Sequence, residues 1–147
     1  MELDLERVQQ RMQFIQTNLE LLETLRAKTE AAFLGDPINI YAAEHAPQVS
    51  IEAVMDIFTH IVARGRLGAP VNDRDTLEIV YRKGLIPEDH FRRYTEMSKF
   101  RNLIVHGYLD VNTRAVYEIV QNRLDDLRVF LSDVRRIVNT RDPGMTP

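Results

Sequence analysis

The sequence predicts an all-α protein, an up-and-down bundle of about five helices. Three observations point there: apolar residues recur at three- and four-residue steps, Gly, Pro and Asp/Asn clusters break the chain between them, and no run alternates with period two. With 147 residues, the chain has room for one domain with a core, read here as residues 1–140, followed by a flexible tail over 141–147.

Leu5, Val8, Met12, Ile15, Leu19 and Leu22 form one stripe of a long first helix, which runs toward Phe33 and stops at Gly35-Asp36-Pro37. A second helix is expected from about Ile38 to Ala63, and its broad apolar face (Ile51, Val54, Met55, Phe58, Ile61, Val62) is the first candidate for central core. Pro47 either kinks that helix or starts a second piece of it. Gly65, Gly68 and Pro70 mark a loop, after which Asp73 or Asp75 caps a short helix through Arg82, with Leu77, Ile79 and Val80 inside. Gly84 closes it, and Pro87-Glu88-Asp89 opens a helix that extends to about His106 and ends at Gly107. Asn112 is the expected cap of the last helix, whose stripe is Val116, Val120, Leu124, Leu127, Leu131, Val134 and Val138. The long first and last helices leave seams that suit a dimer.

Apolar residues make up 44% and charged residues 28%, the balance of a soluble globular protein. No stretch reaches the length of a membrane span, and the acidic start Met1-Glu2-Leu3-Asp4 lacks an export signal, so a cytoplasmic location is expected. With no cysteine there is neither disulfide nor thiolate chemistry. The net charge of −3 argues against a nucleic-acid coat protein but leaves room for an enzyme that meets RNA through a local patch. Between Tyr81 and Arg101 such a patch exists: Arg82, Lys83, Arg92, Arg93, Lys99 and Arg101 face only Glu88, Asp89 and Glu96. A solvated helix face would have the same composition.

The segment with the chemistry is Phe100-Arg101-Asn102-Leu103-Ile104-Val105-His106-Gly107-Tyr108. On a helix Asn102 and His106 share a face, while Arg101 lies about 140° around from His106. Cleavage of RNA without metal needs a base for the ribose 2′-hydroxyl, which histidine supplies near neutral pH. It also needs a fixed cation for charge on the phosphorane, which arginine supplies as a planar fork. Asn102 can orient either group. By spacing alone, the same residues also read as a surface arginine, a helix-end histidine and a half-buried tyrosine. His45, His60 and His90 are scattered without a carboxylate at metal-site spacing, and His60, beside Ile57, Phe58 and Ile61, reads as a core histidine with a partner. Gly65-Arg66-Leu67-Gly68 lacks the strand and Lys-Ser/Thr of a phosphate loop. No metal or cofactor is expected.

Arg101-Asn102-x-x-x-His106 resembles the R-x(4–6)-H signature of the HEPN superfamily. With Tyr108, Asp110-Val111 and Val116-Tyr117 it is similar to the HepT-like branch, as are Ile51-Glu52-Ala53-Val54-Met55-Asp56-Ile57 and Gly84-Leu85-Ile86-Pro87 upstream. The resemblance implies a HEPN-type helical homodimer that acts as a metal-independent ribonuclease toxin. It further implies a minimal nucleotidyltransferase (MNT) antitoxin that silences the toxin by adding AMP to the motif tyrosine. Carried over, Arg101 and His106 are catalytic, Asn102 supports them and Tyr108 is the modification site. Pro47, inside a helix that is smooth in relatives, and Gly107, between His106 and Tyr108, depart from the pattern. The alternative is a non-catalytic HEPN subunit that docks a nucleotidyltransferase or binds nucleotide.

Overall fold

The broad apolar face expected between Ile38 and Ala63 is buried throughout, from Ile51 to Val62, and forms the centre of the protein. A computed structural model describes residues 2–107 and 113–141, and these contain seven helices and no strand. They are α1 (Leu5–Arg26), α2 (Glu30–Leu34), α3 (Pro37–Arg64), α4 (Asp73–Arg82), α5 (Glu88–Val105), α6 (Thr113–Asn122) and α7 (Asp125–Arg141). α3 touches α1, α2, α4, α5 and α6, so most of the bundle is assembled on its surface.

Two of the five expected helices are each divided, which gives seven. The first ends at Arg26 because the chain has a second start signal nearby: the Thr29 hydroxyl accepts the Ala32 N–H at 3.2 Å and caps α2. Phe33 on α2 is fully buried against Tyr117 of α6, with ring centroids 5.4 Å apart. The last helix is divided at Arg123 and Leu124, where Asp125 and Asp126 begin α7. Acidic residues favour a helix N-terminus, and Arg123 clasps Asp126 at 3.0 Å across the break. The apolar stripe passes through undisturbed, with Val120, Leu124 and Leu127 all buried. Asn112, the expected cap, and the tail from 142 onward lie outside the described residues.

At Pro47 α3 runs on as one helix of 28 residues, with the proline buried inside it. Proline cannot donate to the Ala43 carbonyl, and nearby the Ser50 hydroxyl donates to the Ala46 carbonyl at 2.6 Å. The cap of α4 is neither of the two expected aspartates but Asn72, whose side chain accepts the Asp75 N–H at 2.9 Å. Asp75 in turn accepts the Val71 N–H at 3.1 Å. Before α4, the loop comes so close at Gly68 that a Cβ there would sit 2.7 Å from the Ile79 side chain.

α5 is fixed by a buried aromatic cluster. Phe58 of α3, Tyr94 of α5 and Phe130 of α7 meet with centroids 5.0 to 5.8 Å apart, two of the three pairs edge-on. The Tyr94 hydroxyl donates to Asp133 Oδ2 at 2.5 Å. Burial, then this bond and the Asp133 charge, push that hydroxyl well above the ordinary tyrosine range, so it stays a donor. Asp133, itself buried, also meets His90 Nδ1 at 2.8 Å and Arg136 at 3.2 Å. A carboxylate removed from water needs such partners.

His60 is the partnered core histidine that its neighbours suggested: it is buried, and Nε2 accepts the Asp4 backbone N–H at 3.0 Å. Burial, followed by the positive charges of Arg64 and Arg7, lowers its pKa. Its folded pKa lies below the unfolded value of about 6.5, so the unfolded chain takes up the proton first as pH falls. The stability that this group contributes is therefore present above that value and lost on acidification.

Two outcomes are expected. In urea titrations the stability gap between the wild type and His60→Gln narrows from about pH 8 to about pH 5.5; a gap that widens on acidification contradicts the assignment. Asp133→Ala leaves the buried Tyr94 hydroxyl without its acceptor and takes one partner from His90 and from Arg136, and costs about 1–3 kcal/mol. A loss below about 1 kcal/mol would show that the cluster does not hold α5.

Candidate active site

Three of the four residues singled out in the sequence lie where α5 ends. The helix stops at Val105, His106 is its C-cap, and Gly107 turns the chain with φ of +73°, a conformation that glycine adopts without strain. The His106 and Gly107 N–H groups donate to the Asn102 and Ile104 carbonyls, both at 3.0 Å. His106 and Asn102 are exposed at this end, one helical turn apart. Tyr108 lies outside the described residues.

Arg101 occupies a different setting. Its side chain is 23% exposed and its Nη2 donates to Asp73 Oδ2 at 2.6 Å, across to the first turn of α4. Its Nε is buried and, among the described residues, has no hydrogen-bond partner. Arg101 and Asn102 both line a polar cleft of about 810 Å³ between α4 and α5, with Asp73, Arg74, Thr95, Ser98 and Lys99. His106 is not among the lining residues, so the cleft gathers two of the motif residues and the helix end presents the third.

The basic patch does not form one surface. Arg82 pairs with Glu78 at 3.9 Å, Arg92 with Glu88 at 2.6 Å, and Arg93 with Asp126 at 3.2 Å. The exposed pairs of Arg82 and Arg92 are worth little in stability, but together with the partly buried Arg93–Asp126 pair they cancel much of the local positive charge. Of the six basic residues only Lys99 and Arg101 line the cleft.

Sequence reasoning missed Asp73 as a partner of Arg101. It lies 28 residues upstream and was placed among the caps of α4, where acidic residues are common; only the packing of α4 on α5 brings the two together. The His90–Asp133 contact was missed for the same reason, at a separation of 43 residues. Among the described residues there is no group of three or more His, Cys, Asp or Glu able to hold a metal ion, and no helix long and apolar enough to cross a membrane.

On the opposite flank of α5, a recess of about 280 Å³ is lined by Leu22, Pro47, Ile51, Met97, Phe100 and Leu103. Leu103 and Val105, interleaved with the motif residues, are 40% and 51% exposed.

A family model described as ribonuclease HepT-like matches residues 15–134. The chain is 31% identical over 84 residues to an mRNA nuclease HepT of Shewanella oneidensis, a match that spans 57% of this chain and 63% of that relative. Among solved structures, it is similar to a tri-AMPylated HEPN toxin of Shewanella oneidensis in complex with MNT antitoxin, with a TM-score of 0.81 and 23% identity over 92% of this chain and 99% of that one. A cytosolic protein of unknown function from Bacillus subtilis, YutE, has a TM-score of 0.81 at 16% identity, over 95% of this chain and 94% of that one. At these identities the two structures establish the shared fold.

Proposed function

The chain belongs to the ribonuclease HepT-like family, and on that basis we propose that it is a metal-independent endoribonuclease, the toxin of a toxin–antitoxin pair. The observation that carries the reading is the setting of Arg101. A guanidinium held mostly out of water in the wall of a polar cleft, beside Asn102, which is itself one turn before an exposed histidine, is an arrangement for gripping a phosphate.

In the proposed reaction His106 takes the proton of a ribose 2′-hydroxyl. The freed oxygen attacks the adjacent phosphorus, and the bond to the 5′-oxygen breaks. Arg101 stabilises the charge on the phosphorane, and Asn102 orients the reacting groups. The products are a 2′,3′-cyclic phosphate and a 5′-hydroxyl. The leaving oxygen needs an acid, and one histidine cannot be base and acid in the same step. A second copy related by a two-fold axis supplies that acid from its own His106. The exposed Leu103 beside the motif, and the apolar recess that it lines, suit such a homodimer.

The partner is an MNT-type nucleotidyltransferase, which transfers AMP from ATP to the Tyr108 hydroxyl and releases pyrophosphate. The adduct places a phosphodiester and a purine beside the motif, where the phosphate pairs with Arg101 in place of the scissile one. Tyr94 is a poor competitor, since it is 1% exposed with its hydroxyl bonded to Asp133. The proposed location is the cytoplasm.

Purified protein is expected to cut RNA in excess EDTA. Arg101→Ala and His106→Ala each lower the rate by about a thousandfold or more with circular dichroism unchanged; full activity in both contradicts the assignment. Co-expression with the paired nucleotidyltransferase adds whole AMP units to Tyr108, detected by mass spectrometry, and Tyr108→Phe stays unmodified and toxic. AMP on Tyr41 or Tyr117 instead would overturn that part of the reading. Light scattering is expected to give a dimer.

A further inference from the structure

Three residues with amide or carboxylate side chains, Asn72, Asp73 and Asp75, stand at the start of α4, and two of them serve the local backbone. The Asn72 side chain accepts the Asp75 N–H, and the Asp75 carboxylate accepts the Val71 N–H. Asp73 takes neither role. Its carboxylate reaches across the cleft to Arg101 Nη2 at 2.6 Å, a distance typical of a charge-assisted bond. The helix start is thus capped without Asp73, which leaves this carboxylate available to the arginine.

The atoms involved show which part of the guanidinium is held. Nη2 and Nε form the side edge of the fork; Nη1 and the second Nη2 hydrogen form its end edge. Asp73 bonds Nη2, and the buried Nε, which has no partner among the described residues, belongs to that same side edge. The carboxylate therefore holds the guanidinium through Nη2 alone, and Nη1 is left for an incoming anion. The side chains are 23% and 34% exposed, so the pair is partly sheltered and its geometry is more restrictive than that of a surface ion pair.

We propose that Asp73 is a positioning residue: it holds Arg101 through Nη2 and thereby fixes the guanidinium so that Nη1 is presented to a substrate phosphate. The proposal rests on the ribonuclease reading for the identity of the anion, while the hold on Arg101 is independent of it. A flexible arginine would have to lose side-chain freedom when the transition state forms, whereas a held one has lost it on folding. The neighbouring Lys99, exposed and without such a hold, suits a looser contact with a flanking phosphate.

The experiment compares wild type, Asp73→Ala, Asp73→Glu and Arg101→Ala. Cleavage of a short RNA is measured in EDTA, and the Nε–Hε resonance of Arg101 is followed by NMR and assigned by its loss in Arg101→Ala. Asp73→Ala is expected to lower kcat about ten- to a hundredfold, with KM changed by no more than about threefold, and Asp73→Glu to recover part of the rate. The Arg101 resonance shifts or broadens in Asp73→Ala and returns toward the wild-type position in Asp73→Glu. A resonance unchanged in Asp73→Ala overturns the proposal whatever happens to RNA. So does a kcat that is unchanged or raised, which would make Asp73 a restraint on Arg101. If the wild type does not cut RNA, the ribonuclease reading fails and the resonance alone decides whether Asp73 positions Arg101.

Discussion

The bond from Tyr94 to Asp133 ties α5 to α7 through the core, and the candidate site depends on where α5 lies. A tyrosine buried among Phe58 and Phe130 keeps its polar atom only if that atom has a partner, and Asp133 is placed by α7 to provide one. Asp133 in turn is tolerated in the core because His90 and Arg136 also reach it. One polar cluster thus ties α5 to α7 directly above the α3 core. The far end of the same rigid helix carries Arg101, Asn102 and His106. A catalytic arginine displaced by an ångström loses much of its effect, so the stability of the core and the accuracy of the site have a common origin.

The same helix also separates two kinds of surface. One flank faces α4 across a polar cleft and carries Arg101; the other, with Phe100 and Leu103, closes an apolar recess against α1, α3, α6 and the start of α7. Asn102 lines the polar cleft beside Arg101, and His106 is exposed at the helix end. The helix thus has a polar flank, which the proposed function assigns to RNA, and an apolar one, which it assigns to a second copy. In the proposed toxin these are the two things that must meet at the motif.

Much of this was legible in the residues. The stripes of α1, α3 and α7 are fixed by helical periodicity, and every apolar position named for the central helix is buried. The end of α5 at Gly107 could be read because a positive φ after a helix favours glycine. The break after Arg26 was not legible, since the Thr29 cap competes with an apolar pattern that continues past it to Phe33. Nor was the break at Arg123, where the buried stripe runs straight through. Within the site, the local motif named Arg101, Asn102 and His106, but Asp73 carries no signal that separates it from an ordinary first-turn acid. Contacts between residues 28 or 43 apart depend on how helices pack, and helical periodicity does not encode that. Tyr108 was singled out by resemblance and lies outside the described residues.

The central claim is that His106 and Arg101 cut RNA by activating its own 2′-hydroxyl, with no metal. The termini of the products test it most directly. Purified protein, incubated in excess chelator with a short RNA of defined sequence, should give fragments whose masses correspond to 2′,3′-cyclic phosphate and 5′-hydroxyl ends, and a 2′-deoxy substitution at the cut position should block cleavage there. Fragments with 3′-hydroxyl and 5′-phosphate ends, or cleavage that persists through the 2′-deoxy position, would contradict the mechanism.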